Sequence, residues 1–159
     1  LDSLDLYFKM KDLKNEINEL SKLSPHDVNE YTAKGNEIEN KFNQMPMDEV
    51  RQHFRPLIEK KNPKKKDWMT NKDFDIFLRR SFGGETDLPK PKITLGHGAK
   101  YALVKLFYLF YDKCQIEYYN QNRNKEPFLN LLKDAFLTKE FDDLDTSNFK
   151  KSNSNYEWN

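Results

Sequence analysis

The residues of this chain best suited to chemistry are its cations. Lys60, Lys61, Lys64, Lys65 and Lys66 crowd one short stretch, Arg79 and Arg80 follow on what reads as a helix, and Lys90 and Lys92 sit in the next loop. Positive groups gathered on one side suit phosphates, because they neutralise a polyanion and release its counterions. Residues 51–105 carry 14 Lys+Arg against 6 Asp+Glu, although the whole chain is only +1. Trp68 and Phe82 are near enough in sequence to stack on bases or simply to pack. The plainer account of the same lysines is a solvated linker and an ordinary helix surface.

The remaining reactive residue types are scattered. His26, His53 and His97 never show the i, i+3 or i+4 spacing that puts two ligands on one helix face, and there is no cysteine pair, so no metal site is expected. His53, between Arg51 and Arg55, reads as a surface or packing histidine. Cys114 stands alone on an apolar segment beside Phe110 and Tyr111, where a cysteine is ordinarily a small buried hydrophobe. Gly96-His97-Gly98-Ala99-Lys100 opens a helix, which offers free N–H groups to an anion, but it lacks the spacing of a phosphate-binding loop. Asp142-Asp143-Leu144-Asp145 lacks the alternating oxygen ligands and the glycine of a calcium loop and reads as a solvated acidic turn. With no acid–base pair or activated nucleophile in view, the expectation is a protein that is not an enzyme and that takes no cofactor.

The elements that must position these residues are helices. With only 5 Gly and 7 Pro the chain has little turn punctuation, which favours a few long elements. Leu6, Met10, Leu13, Ile17 and Leu20 are spaced 4, 3, 4, 3 and Leu23 continues them, a heptad-like seam over about residues 3–23. Ser24-Pro25-His26-Asp27 restarts a helix, since serine caps, proline suits the first helical position and aspartate complements the positive end. Val28, Tyr31, Gly35, Ile38, Phe42 and Met45 form the second stripe, ended by Pro46. Two helices joined so closely predict an antiparallel hairpin over residues 1–46.

A compact helical bundle is expected over residues 47–141. Met47 to Lys61 reads as a short helix that Pro56 should split. Thr70 with Asp73 three residues on caps a helix reaching Phe82, stopped by Gly83-Gly84. Residues 85–98 read as a loop holding Pro89 and Pro91, with Ile93-Thr94-Leu95 expected as a short extended stretch. Ala99 to about Asn120 is apolar on nearly all sides, which predicts a central helix. Lys125-Glu126-Pro127 opens a last helix with Phe128, Leu131, Leu132, Ala135 and Phe136 on one face. Beyond Phe141 the pattern decays, so residues 142–159 are expected to be a polar tail that frays.

The fold class read from this pattern is all-α. The single cysteine excludes an intrachain disulfide and fits a reducing, cytoplasmic compartment. No run of about 18 apolar residues is present, so no membrane span is expected. The opening Leu1-Asp2-Ser3 is neither a signal peptide nor an initiating Met, so the chain reads as a fragment or a processed product.

Three runs also carry a resemblance. Met69-Thr70-Asn71-Lys72-Asp73-Phe74-Asp75-Ile76-Phe77-Leu78, then Pro91-Lys92-Ile93-Thr94, then Ala102-Leu103-Val104-Lys105-Leu106-Phe107-Tyr108 resemble uncharacterised helical proteins encoded near mobile genetic elements. The last two are also similar to the C-terminal winged-helix part of excision regulators from conjugative transposons, where a Lys-x-Thr-like lead-in precedes a helix with a Leu-Val-x-Leu-x-Tyr core. That likeness implies a helical fold and an association with DNA, and it transfers no individual binding residue.

The leading functional expectation is a non-enzymatic helical interaction module. The seams of the hairpin would pair with each other first, and apolar positions left over would serve a protein partner or a second copy of the chain. The alternative is a DNA-associated regulatory protein that uses the basic patch in residues 60–92, with nucleic acid as its partner.

Overall fold

In a computed structural model of the chain, residues 38–117, 123–150 and 154–158 are described. The helix expected over 3–23 and the 28–37 portion of its partner lie outside them. From Ile38 onward the residues gather into one compact unit, and all regular structure among the described residues is helical. Helix α1 spans Met47–Phe54 and α2 Pro56–Glu59. Helix α3 spans Asn71–Ser81, α4 Ala99–Glu117 and α5 Glu126–Ala135. Lys61 and Asp67 form an isolated antiparallel bridge. Among the described residues no helix is long and apolar enough to cross a membrane.

Each helix boundary has a local cause. Pro56 takes the first position of α2 and splits it from α1, as its missing N–H requires. Thr70 caps α3, its Oγ1 accepting from the Asp73 N–H at 3.0 Å. At the far end the Phe82 and Gly83 N–H groups both donate to the Leu78 carbonyl, and Gly84 takes φ +73°. Helix α4 is the hub. Ala99, Ala102, Leu103, Val104, Leu106, Phe107, Phe110, Tyr111 and Cys114 are all buried along it, which leaves only a narrow exposed edge that includes Tyr101 and Ile116.

The core is built from phenylalanine. Phe54 sits at its centre, with ring centroids 5.2 Å from Phe77, 5.0 Å from Phe107 and 5.0 Å from Phe110. Phe77 stacks on Phe136 at 5.2 Å, which ties α3 to the end of α5. Each such ring contributes roughly 1.5–3 kcal/mol by burial alone, with edge and offset geometry adding to that.

Two parts of the chain differ from the sequence expectation. Residues 38–45 are not helical. Asn40 redirects the backbone: its Oδ1 accepts from the Phe42 and Asn43 N–H groups, and its Nδ2 donates to the Met45 carbonyl at 2.9 Å. An asparagine side chain that bonds the backbone in this way competes with the helical ladder. Ile38, Phe42 and Met45 nevertheless keep their inward role as a strap over the core. The Lys41 N–H donates to the Phe82 carbonyl at 2.7 Å, and Asn43 Nδ2 donates to Cys114 Sγ at 3.2 Å.

The second correction concerns residues 142–159. Leu144, Phe149 and Trp158 are buried. Phe149 meets Tyr108, and Trp158 Nε1 donates to the Ala102 carbonyl at 2.8 Å. Lys105 Nζ donates to the Ser154 and Tyr156 carbonyls. The described part of this segment is therefore a second strap across α4, held by three aromatic anchors and not frayed.

Candidate functional site

The nine cations singled out by the sequence divide into two sets. Arg80 is the most enclosed, with a side chain 9% exposed. Its Nε donates to the Leu88 carbonyl at 2.8 Å, and its guanidinium reaches both the carbonyl and the carboxylate of Asp134. Lys90 Nζ pairs with the same carboxylate at 3.2 Å. Arg79 is bonded to Asp75 at 2.8 Å and Glu85 at 3.3 Å. Lys61 is paired with Asp67, and Lys60 donates to the Glu157 carbonyl while lying over the Tyr156 ring. These five positive groups are each paired with acids, carbonyls or a ring of the protein itself.

Lys64, Lys65, Lys66 and Lys92 form the second set, and all four are exposed. The first three occupy one turn. Its organiser is Asn62, the buried polar residue of the core, 3% exposed. Asn62 Oδ1 accepts from the Lys64 N–H at 2.8 Å and the Lys66 N–H at 3.1 Å. The Asn62 N–H donates to the Lys66 carbonyl at 2.7 Å, and the Lys65 N–H donates back to the Asn62 carbonyl at 2.8 Å. Asn62 Nδ2 donates outward to the Thr94 carbonyl at 3.1 Å, which fastens the turn to the loop before α4.

The neck of the turn is held as well. Tyr156 accepts from Trp68 Nε1 at 3.2 Å and donates its own hydroxyl to the Lys61 carbonyl. The Thr94 N–H donates to the Trp68 carbonyl at 2.8 Å. Within the turn Lys65 takes φ 65°, a left-handed conformation that costs an L-residue about 1–2 kcal/mol. The bonds to Asn62 offset that strain. Lys64 lies against Gly96, where an added Cβ would stand 2.8 Å from its Cγ.

Base stacking by the aromatics near the lysines is ruled out in this conformation. Trp68 and Phe82 are fully buried in the core. Trp68 is packed between Trp158 and Tyr156, with ring centroids at 5.1 and 5.7 Å.

The other sequence candidates settle into ordinary places. His53 is largely enclosed between Phe54 and Phe110. Its Nε2 lies 3.0 Å from the Leu106 carbonyl. A carbonyl only accepts, so Nε2 carries the proton. Burial lowers the His53 pKa to about 4, against the raising effect of that bond and with a smaller lowering from Lys113. Cys114 is fully buried. His97 is exposed beside a cleft of about 410 Å³ lined by Leu95, Gly96, Gly98, Lys100 and Glu140. Lys100 is bonded to Asp143 at 2.9 Å, which raises the lysine pKa and lowers that of the aspartate. Among the described residues no group of three or more His, Cys, Asp and Glu is placed to hold a metal ion.

Asn62 was not among the sequence candidates, although Asn-Pro ahead of a lysine run is a turn signal. The Tyr156 and Glu157 contacts to Lys61 and Lys60 had no local signal, because they join positions far apart in the chain. Comparison with models of protein families, with curated proteins and with solved structures finds no match.

Proposed function

We propose that the chain is a non-enzymatic interaction module that associates with a protein through the apolar seam ahead of residue 38, in its simplest form with a second copy of itself. The observation that carries this reading is the seam itself. Leu6, Met10, Leu13, Ile17 and Leu20 repeat at heptad spacing, and Lys and Glu fill half of the positions between them. Such a stripe buries large side chains against a facing helix, knob into hole. The later stripe, Val28, Tyr31, Gly35, Ile38, Phe42 and Met45, repeats at the same spacing, and its last three positions are packed on the core.

The test uses the whole chain and its Leu13→Asp/Ile17→Asp variant in sedimentation equilibrium over a wide concentration range. The near-ultraviolet signal of Trp68 and Trp158 reports that the core unit is intact in both. The expected result is a mass that rises with concentration for the parent chain and stays monomeric for the variant. A parent chain that is monomeric throughout, and indistinguishable from the variant, would overturn the reading.

A further inference from the structure

The turn at residues 62–66 has properties that an idle surface loop does not need. Pro63, Lys64, Lys65 and Lys66 are all exposed, yet the residue that shapes them is buried and uses both side-chain polar atoms in doing so. Three successive exposed lysines are thereby carried on a turn whose backbone is held by Asn62. A loop whose backbone is flexible loses more conformational freedom on binding than a turn whose backbone is already fixed.

We propose that the Lys64-Lys65-Lys66 turn is a contact for the phosphate backbone of double-stranded nucleic acid, read without regard to base sequence. The chemistry favours this acceptor over others. Lysine is a point charge that suits phosphates, whereas the planar fork of arginine, which reads base edges, is here committed to Asp75, Glu85 and Asp134. Single strands are gripped by stacking on exposed rings, and of the rings beside the turn Trp68 is buried in the core and Tyr156 is half-buried against it. A membrane surface would be met by apolar side chains beside the lysines. The exposed large apolar residues among those described are Tyr101, Ile116 and Leu137, none of them in the turn.

This contact is independent of the seam proposed above, and the two are tested apart. Labelled duplex of arbitrary sequence is titrated with the full chain at several salt concentrations and followed by fluorescence anisotropy. Three phosphate contacts predict a slope of about −2.7 in log K against log salt, or roughly a 40-fold loss of affinity between about 50 and about 200 mM salt. The Lys64→Gln/Lys65→Gln/Lys66→Gln variant should lose that binding. A Lys41→Gln/Lys139→Gln/Lys150→Gln variant has the same net charge and should keep it, as should the Leu13→Asp/Ile17→Asp variant. A single strand of equal length should bind more weakly. The proposal is overturned by absence of binding at the lowest salt, or by equal loss in the two lysine variants. It is also overturned if phosphatidylserine vesicles or polyglutamate bind as tightly as duplex, which would give the turn to a membrane or an acidic protein.

Discussion

The indole rings of Trp68 and Trp158 stack with centroids 5.1 Å apart and planes inclined by 28°. One indole belongs to the segment between the lysine turn and α3, the other to a stretch whose composition is almost wholly polar. Their pairing places the strap at residues 154–158 in the interior. Trp158→Ala removes the stack and the bond to the Ala102 carbonyl and leaves a void. It should cost about 3–5 kcal/mol in urea unfolding of the full chain. A loss below about 1 kcal/mol would mean that the strap lies outside the cooperative core.

Gly83 joins the other strap to the end of α3. A Cβ there would stand 2.8 Å from the Arg79 carbonyl oxygen and 2.9 Å from Ile38 Cγ2. The carbonyl belongs to helical backbone and gives little. Gly83→Ala is therefore expected to destabilise by about 1–3 kcal/mol. Combining it with Ile38→Ala should cost less than the sum of the two single changes, because one of the clashing atoms has gone. Additive costs in that double-mutant cycle would show that Ile38 does not pack on Gly83.

His53 gives the fold a pH dependence with a defined sign. Its pKa is about 4 in the folded chain and about 6.5 when unfolded. Between these values the unfolded chain binds the extra proton and the folded chain does not. Stability from this group is thus complete above about pH 6.5 and is lost as pH falls toward 4, by up to about 3 kcal/mol. The parent chain should show that slope in unfolding free energy across the window, and His53→Gln should flatten it. An unchanged slope in the variant would assign the acid sensitivity to carboxylates.

Much of the helical layout was legible in the sequence because it rests on neighbours. Thr70 with Asp73, Pro56, and Gly83-Gly84 act within one turn of themselves, and each sets a boundary near where the pattern put it. The apolar run from Ala99 likewise declared the hub. The stripe Ile38, Phe42, Met45 misled because spacing records which side chains point inward and not which backbone carries them. Asn40 supplies a different backbone with the same inward set. The strap around Trp158 escaped notice because periodicity needs several apolar residues, and three aromatic anchors suffice here.

The nine cations show the same division. Their clustering in sequence was plain, but their availability depended on Glu85, Asp134 and Glu157, which no local rule connects to them. Only the turn organised by Asn62 could have been suspected locally, from Asn-Pro before the lysines.

The position of α4 in the middle of the chain has a consequence for synthesis. Its apolar surface is covered from upstream by Phe54 and Asn43 and from downstream by Phe128, Phe149 and Trp158. A ribosome delivers the downstream partners last. Until residue 158 has emerged, the nascent chain carries a helix that is greasy on a side still lacking its cover, the kind of surface that chaperones bind and that aggregates when left alone.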